Sequence, residues 1–303
     1  MSRTDKIWEI PKPLSVQNVA MADGTVITLR HHGNPNGPRL VVSHGNGLAI
    51  DLYYPFWSQF TEDCEVIIYD LRNHGWNSVG SQEHHHLPSF VNDMDCISVA
   101  IDDHFGKKPK SGIFHSVSAL SSLLSPNHGS EFEARVLFDP PVCKPNEYPE
   151  SFDIATRRFR DNTLHRSNQY SSIEEYVDFL QYVPALGRTK TGVLDLFART
   201  TLRKSMTDDS YELRCPPVYE AQVINFARAF AVWVDLNQLG CPTKVIGADP
   251  TLPYSFLPTF DLSDIASLDY DFLPDATHLL QLEMPEQCAA MVREFLETHG
   301  CMN

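Results

Sequence analysis

No Cys-x-x-Cys pair occurs in the 303 residues, and the seven cysteines (Cys64, Cys96, Cys143, Cys215, Cys241, Cys288 and Cys301) are odd in number and scattered. Thiolate zinc sites and disulfide frameworks both need recurrent spacings, so this pattern argues against either and fits a reducing, cytoplasmic setting. No apolar run reaches the roughly 18 residues that a membrane span requires, and Met1-Ser2-Arg3-Thr4-Asp5-Lys6 leads into no signal-like apolar stretch. The final Cys301-Met302-Asn303 matches neither a prenylation nor a peroxisomal signal. Positive charge is also scarce. Lysine and arginine total 24 against 39 acidic residues, a net charge of -15, and the densest basic cluster is only Lys107-Lys108 with Lys110. Such a surface repels phosphate backbones and anionic headgroups, so nucleic acid is not an expected partner. Repeats and low-complexity linkers are absent as well.

What remains is an ordinary folding composition, 42% hydrophobic and 21% charged, in a chain long enough for one large domain or two small ones. A hairpin is predicted from Val16 to Met21 and Thr25 to His31 around Asp23-Gly24. Short apolar runs at Arg39–Val42, Glu65–Tyr69, Ser111–Phe114, Arg135–Phe138, Thr243–Ile246 and Leu268–Phe272 read as buried strands. Amphipathic segments alternate with them at Asp51–Phe60, Pro88–His104 and Pro285–Thr298. This rhythm predicts an α/β fold with a mostly parallel, doubly wound sheet. It stops between about residues 140 and 240, where helices are expected at Glu150–Asn162, Ser172–Tyr182, Val193–Lys204 and Pro217–Leu239.

Functional groups of such a sheet gather at the carboxyl ends of its strands. One end carries His44-Gly45-Asn46-Gly47, a glycine-rich turn able to aim N–H groups at a developing oxyanion. Another carries His115-Ser116-Val117-Ser118-Ala119, a serine between a strand and a helix. Later ends carry Gly247-Ala248-Asp249-Pro250 and Pro274-Asp275-Ala276-Thr277-His278. A serine hydroxyl needs a base within reach, and the base needs a carboxylate to fix its tautomer. Ser116, Asp249 and His278 supply all three in chain order. A serine after a strand is also an ordinary helix cap, and only the joint pattern separates the two readings. The glycines that usually flank a nucleophilic serine are replaced by Phe114 and Ser118, so a ring must be accommodated next to a strained turn. Ser118 is a weaker nucleophile candidate, because Leu120 would then hold its downstream small position. His44 and His74 read as braces of loops, and His84-His85-His86 as a solvated loop, since adjacent side chains cannot all face one metal ion.

These landmarks, with Asp70-Leu71-Arg72-Asn73-His74-Gly75 and with Leu279-Leu280 and Pro285-Glu286 after His278, resemble the α/β-hydrolase fold of serine-nucleophile esterases and lipases with a helical lid. The resemblance implies a hydrolase core at 1–140 and 241–303 and a cap at 141–240. It implies Ser116 as nucleophile, His278 as base and then acid, Asp249 as orienting carboxylate, and the N–H groups of Asn46 and Val117 as oxyanion hole. Asp139, at the preceding strand end, is the alternative acid that some members of the fold use; placement favours Asp249. The expected activity is hydrolysis of a carboxylic ester of an apolar, small to medium substrate through an acyl-enzyme, with no cofactor and no metal. C–C bond hydrolysis, lactone opening, thioester cleavage, acyl transfer or ligand binding without catalysis are the alternatives on this fold. Haloalkane dehalogenase and epoxide hydrolase chemistry would need a carboxylate at position 116. Phe152, Phe159, Tyr176, Phe179, Tyr182, Leu194, Phe197 and Met206 recur at helical spacing in the cap; Phe152 and Phe179, with Leu279, are the expected pocket residues. A homodimer is compatible with the sequence, although no motif dictates it.

Overall fold

The computed structural model describes residues 7–142, 150–252 and 268–302. In chain order the strands are β1 (Ser15–Ala20), β2 (Val26–Gly33), β3 (Arg39–Ser43), β4 (Glu65–Tyr69), β5 (Lys110–His115), β6 (Ala134–Phe138), β7 (Gln169–Tyr170), β8 (Leu202–Lys204), β9 (Tyr211–Leu213), β10 (Thr243–Gly247) and β11 (Asp269–Phe272). The helices are α1 (Tyr54–Trp57), α2 (Leu87–Phe105), α3 (Val117–Leu124), α4 (Glu150–His165), α5 (Ile173–Gln181), α6 (Val193–Thr201), α7 (Pro217–Phe230), α8 (Leu280–Glu283) and α9 (Pro285–Thr298).

Eight strands form one sheet in the order β1-β2-β4-β3-β5-β6-β10-β11. The β1–β2 and β2–β4 pairs are antiparallel, and every other pair is parallel. Alternate residues of the short apolar strands face opposite sides, which gives two cores. Leu40, Val42, Ile113, Val136 and Ile246 pack with Phe56, Trp57, Val292 and Phe295 on one side. Val41, Phe114, Leu137 and Val245 pack with Phe90, Met94 and Ile97 of α2 and Leu120 and Leu123 of α3 on the other. From β3 the chain steps to β4 on one flank, and β5 then returns to the other flank of β3. The loops after β3 and β5 therefore diverge and leave a crevice at their carboxyl ends, the usual ligand position in such sheets.

The segment between β6 and β10 differs from its sequence pattern in two places. The helix expected through Lys204 ends at Thr201, and Leu202–Lys204 pairs antiparallel with Tyr211–Leu213. Leu202 and Leu213 point inward while Arg203 and Glu212 pair outside at 2.8 Å, a strand's period of two. With β7 these make a three-stranded sheet, β7-β9-β8. The helix expected through Leu239 stops at Phe230, and a turn follows in which Asp235 accepts from Asn237 N–H at 3.0 Å. Among the described residues no helix is long and apolar enough to cross a membrane.

Candidate active site

Ser116 sits between β5 and α3 with φ 54° and ψ -117°, a conformation costly for a residue with a side chain. Its N–H donates to Phe138 O at 2.8 Å, which ties the turn to β6. Ser118 is fully buried, and its hydroxyl accepts from His115 N–H at 3.0 Å and donates to His115 O at 2.9 Å. It clamps the turn from within. Phe114 is fully buried and packs edge-on against Phe132, centroids 5.6 Å apart. Its ring has room because Gly112, two residues earlier on the same face of β5, lacks a side chain: a Cβ there would lie 2.5 Å from the ring. The missing glycine at 114 is thus compensated at 112.

His278 lies after β11, where its Nε2 is 3.1 Å from Ser116 Oγ and its Nδ1 is 2.5 Å from Asp139 Oδ2. A carboxylate only accepts, so Nδ1 carries the proton and Nε2 is left to accept from the serine. The structure therefore corrects the expected acid: Asp139, not Asp249, faces the histidine. Asp139 ends β6, the strand next to β5, and its positive φ of 40° turns the side chain back toward the crevice. Asp249 lies two residues beyond β10, one strand further away. Its own turn captures the carboxylate, which accepts from Thr251 N–H at 2.8 Å, Thr251 O–H at 2.6 Å and Asp275 N–H at 2.8 Å. These donors hold its pKa below the usual carboxylate range. Asp249 anchors the loop that carries His278.

Asn46 and Val117 both line the crevice, and among the described residues their backbone N–H groups have no protein acceptor. Two histidines brace this loop reciprocally. His44 Nε2 accepts from Leu71 N–H at 3.0 Å, and His74 Nε2 accepts from Gly47 N–H at 3.0 Å. Each ring's Nδ1 lies near a carbonyl, Gly45 O at 2.7 Å and Arg72 O at 2.9 Å, so each is protonated there and neutral overall. Burial keeps them so: it lowers the pKa of His44, and with the neighbouring His44 it lowers that of His74 to about 3. Asp70 completes the brace. It accepts from Arg30 at 2.6 Å and from Ile50 N–H at 2.8 Å. Burial would raise its pKa, but the Arg30 charge and the Ile50 and Trp76 N–H donors together leave it lowered.

The run His84-His85-His86 is not a solvated loop throughout. His85 is fully buried, and His86 caps α2 by accepting from Ser89 N–H at 3.2 Å. His74, His85 and Cys215 bring potential metal-ligand atoms within 4.8 Å of one another. However, both nitrogens of His74 are already engaged. His85 Nδ1 accepts from the Asn73 amide at 2.9 Å, which leaves the proton on Nε2, facing Cys215 Sγ at 3.9 Å. Protein hydrogen bonds thus account for this donor set, and it does not fit an ion.

Above the serine lies a cavity of about 570 Å³. Its floor is the strand-end loops, and its walls come from α4, α5, α6 and α7 of the insertion. Phe152, Phe159, Tyr176, Phe179, Phe197 and Leu279 line it. Tyr182 and Met206 do not; they are 84% and 95% exposed. Leu194 is core. Ion-paired side chains interrupt the apolar wall, among them Arg228, 2.7 Å from Asp153, and Arg166. Arg166 Nη2 lies 2.5 Å from Glu220 Oε2, and the Glu220 carboxylate packs against Gly47, where a Cβ would lie only 2.4 Å away. Glu220 O also accepts from the Asn46 amide at 2.9 Å. Sequence reasoning missed this pair, because neither residue sits at a strand end.

A mostly parallel sheet flanked by helices, with a strained serine turn after a central strand, defines the α/β-hydrolase class of fold. The chain belongs to that family: the alpha/beta hydrolase family model matches residues 40–291. No curated protein sequence matches it. Among solved structures it is similar to an E-2-(acetamidomethylene)succinate hydrolase, with 15% identity, TM-score 0.76, and coverage of 93% of this chain and 99% of the other. It is also similar to the thioesterase domain from the curacin biosynthetic pathway, with 13% identity, TM-score 0.69 and coverage of 92% and 99%. A thermophilic esterase from Thermogutta terrifontis gives 17% identity, TM-score 0.64 and coverage of 94% and 99%. At these identities the likeness establishes the fold.

Proposed function

We propose that the protein hydrolyses carboxylic esters with a small to medium apolar acyl or alcohol group, through an acyl-enzyme on Ser116. The observation that carries this reading is the chain Ser116 Oγ–His278–Asp139 beneath an apolar cavity. His278 Nε2 takes the hydroxyl proton as Oγ attacks the carbonyl carbon. Asp139 holds the tautomer and stabilises the imidazolium that forms. The tetrahedral oxyanion accepts from the N–H groups of Asn46 and Val117. Collapse breaks the bond to the alcohol oxygen, which leaves with the proton from His278. Water then attacks the acyl-enzyme and gives its proton to His278, and as the bond to Ser116 Oγ breaks His278 returns that proton to the serine oxygen, which frees the acid and restores the hydroxyl.

A volume of about 570 Å³ falls in the range of small-ligand pockets, and Phe152, Phe179 and Leu279 present the apolar surface expected to hold the substrate's chain. The test is turnover of a p-nitrophenyl ester series from acetate to octanoate. Activity that rises with chain length to an optimum and vanishes in Ser116→Ala supports the reading. Binding of the esters without release of nitrophenol by the wild type would replace it with that of a ligand-binding protein.

A further inference from the structure

His115 and Tyr53 are both 1% exposed, and nothing in the proposed reaction uses either. Their hydrogen bonds join three strand-end loops. His115 Nε2 lies 2.8 Å from the carbonyl oxygen of His278. A carbonyl only accepts, so Nε2 carries the proton and Nδ1 is the acceptor. Tyr53 O–H lies 2.6 Å from that Nδ1 and must donate to it. The Tyr53 oxygen in turn faces Gly45 N–H at 3.3 Å and accepts from it. The direction of every bond is thereby fixed, from Gly45 N–H to Tyr53, from Tyr53 to His115, and from His115 to the main chain of His278.

We propose that His115 and Tyr53 are positioning residues that hold the base loop at His278 in register with the oxyanion loop at Gly45 across the Ser116 turn. This rests on the reading of Ser116 and His278 given above. Three observations carry it. First, an apolar pair would fill the same space without leaving polar atoms to be desolvated, yet here both polar side chains are buried and each is bonded in a defined direction. Second, Gly45 is shaped for the contact, since a Cβ there would lie 2.8 Å from His115 Nδ1 and 3.2 Å from Ser116 Cβ. Third, the His115 ring lies 4.8 Å, centroid to centroid, from the His278 ring. A charged His115 would oppose the imidazolium that His278 becomes. Burial keeps the His115 pKa well below its ordinary value, and burial likewise raises that of Tyr53, which remains a donor.

The test compares His115→Leu, His115→Gln and Tyr53→Phe for ester turnover and for phosphonate labelling of Ser116. A glutamine amide can still donate to His278 O and accept from Tyr53, whereas leucine can do neither. In His115→Leu, kcat should fall on the order of 10- to 100-fold, the usual cost of a misplaced reacting group, with KM nearly unchanged. His115→Gln should recover most of the loss, and the near-isosteric Tyr53→Phe should lie between the two. If kcat of folded His115→Leu stays within about twofold of wild type, the proposal is overturned. Equal losses in the leucine and glutamine variants, tracking an equal fall in melting temperature, would also overturn it, because they would show packing rather than positioning. Failure of the wild type itself to label at Ser116 would overturn the hydrolase reading and this one with it.

Discussion

Asp139 and Asp249 follow neighbouring strands, and both satisfy the chain order serine, acid, histidine. That order narrows the acid to few positions but contains no distances. The choice is made by two local facts: the left-handed φ of Asp139 aims its carboxylate at His278, and the Thr251 hydroxyl and N–H occupy that of Asp249. Asparagine at 139 preserves the shape but removes the charge and permits the wrong tautomer. Asp139→Asn should therefore lower kcat by about 10⁴. Asp249→Asn should cost less than about tenfold in kcat, since misplacement of the His278 loop is its main effect, while also lowering the melting temperature. Steady-state kinetics of the two variants decides the matter, and the reverse ranking would restore Asp249 as the acid. Phe114 shows the same limit of sequence reasoning. Its departure from the usual glycine is visible in the sequence, but the compensation at Gly112 depends on knowing that both residues face one side of β5.

At the scale of elements, apolar periodicity located the central strands and the four long helices of the insertion, because each buries a continuous face. It missed β7, β8 and β9, which are only two or three residues long and exist through pairing across the chain. It also missed the tie between the insertion and the sheet. Arg166, just beyond α4, pairs with Glu220 on α7, and Glu220 holds Asn46 and packs against Gly47. The Glu220 side chain is only 5% exposed, so removing its partner leaves a buried charge. Arg166→Leu should destabilise the fold by about 3–5 kcal/mol, and adding Glu220→Gln should recover much of that, because neutral pairs escape the desolvation penalty. Urea unfolding of the single and double variants measures both effects. A single variant as stable as wild type would show that the pair does not hold the insertion to the loop.

For the whole molecule, the dense set of buried neutral histidines sets the response to acid. Burial lowers the pKa values of His44, His74, His85 and His115 in the folded state, that of His74 to about 3. In the unfolded chain each titrates near 6.5. Below that pH the unfolded state binds protons that the folded state refuses. The stability present above about pH 6.5 is therefore lost as the pH falls toward the folded-state values, by about 1.4 kcal/mol per pH unit for each histidine. Urea unfolding should give a nearly constant stability between pH 7 and 8 and a steep decline from 6.5 to 5. His74→Gln should make that decline shallower by about one proton. A flat profile would show that these histidines are not held neutral.

The sequence as a whole disclosed the fold and two members of the hydrogen-bonded chain, Ser116 and His278, because each follows a readable strand. What it could not disclose is which carboxylate joins them, and the central claim is that the proposed chain activates Ser116 as a nucleophile. The direct measurement is labelling with a fluorophosphonate ester followed by mass mapping. One equivalent bound to Ser116 at neutral pH, lost in Ser116→Ala and slowed strongly in Asp139→Asn, is the predicted result. A folded wild-type protein left unlabelled, or labelled at Ser118 instead, would contradict the account.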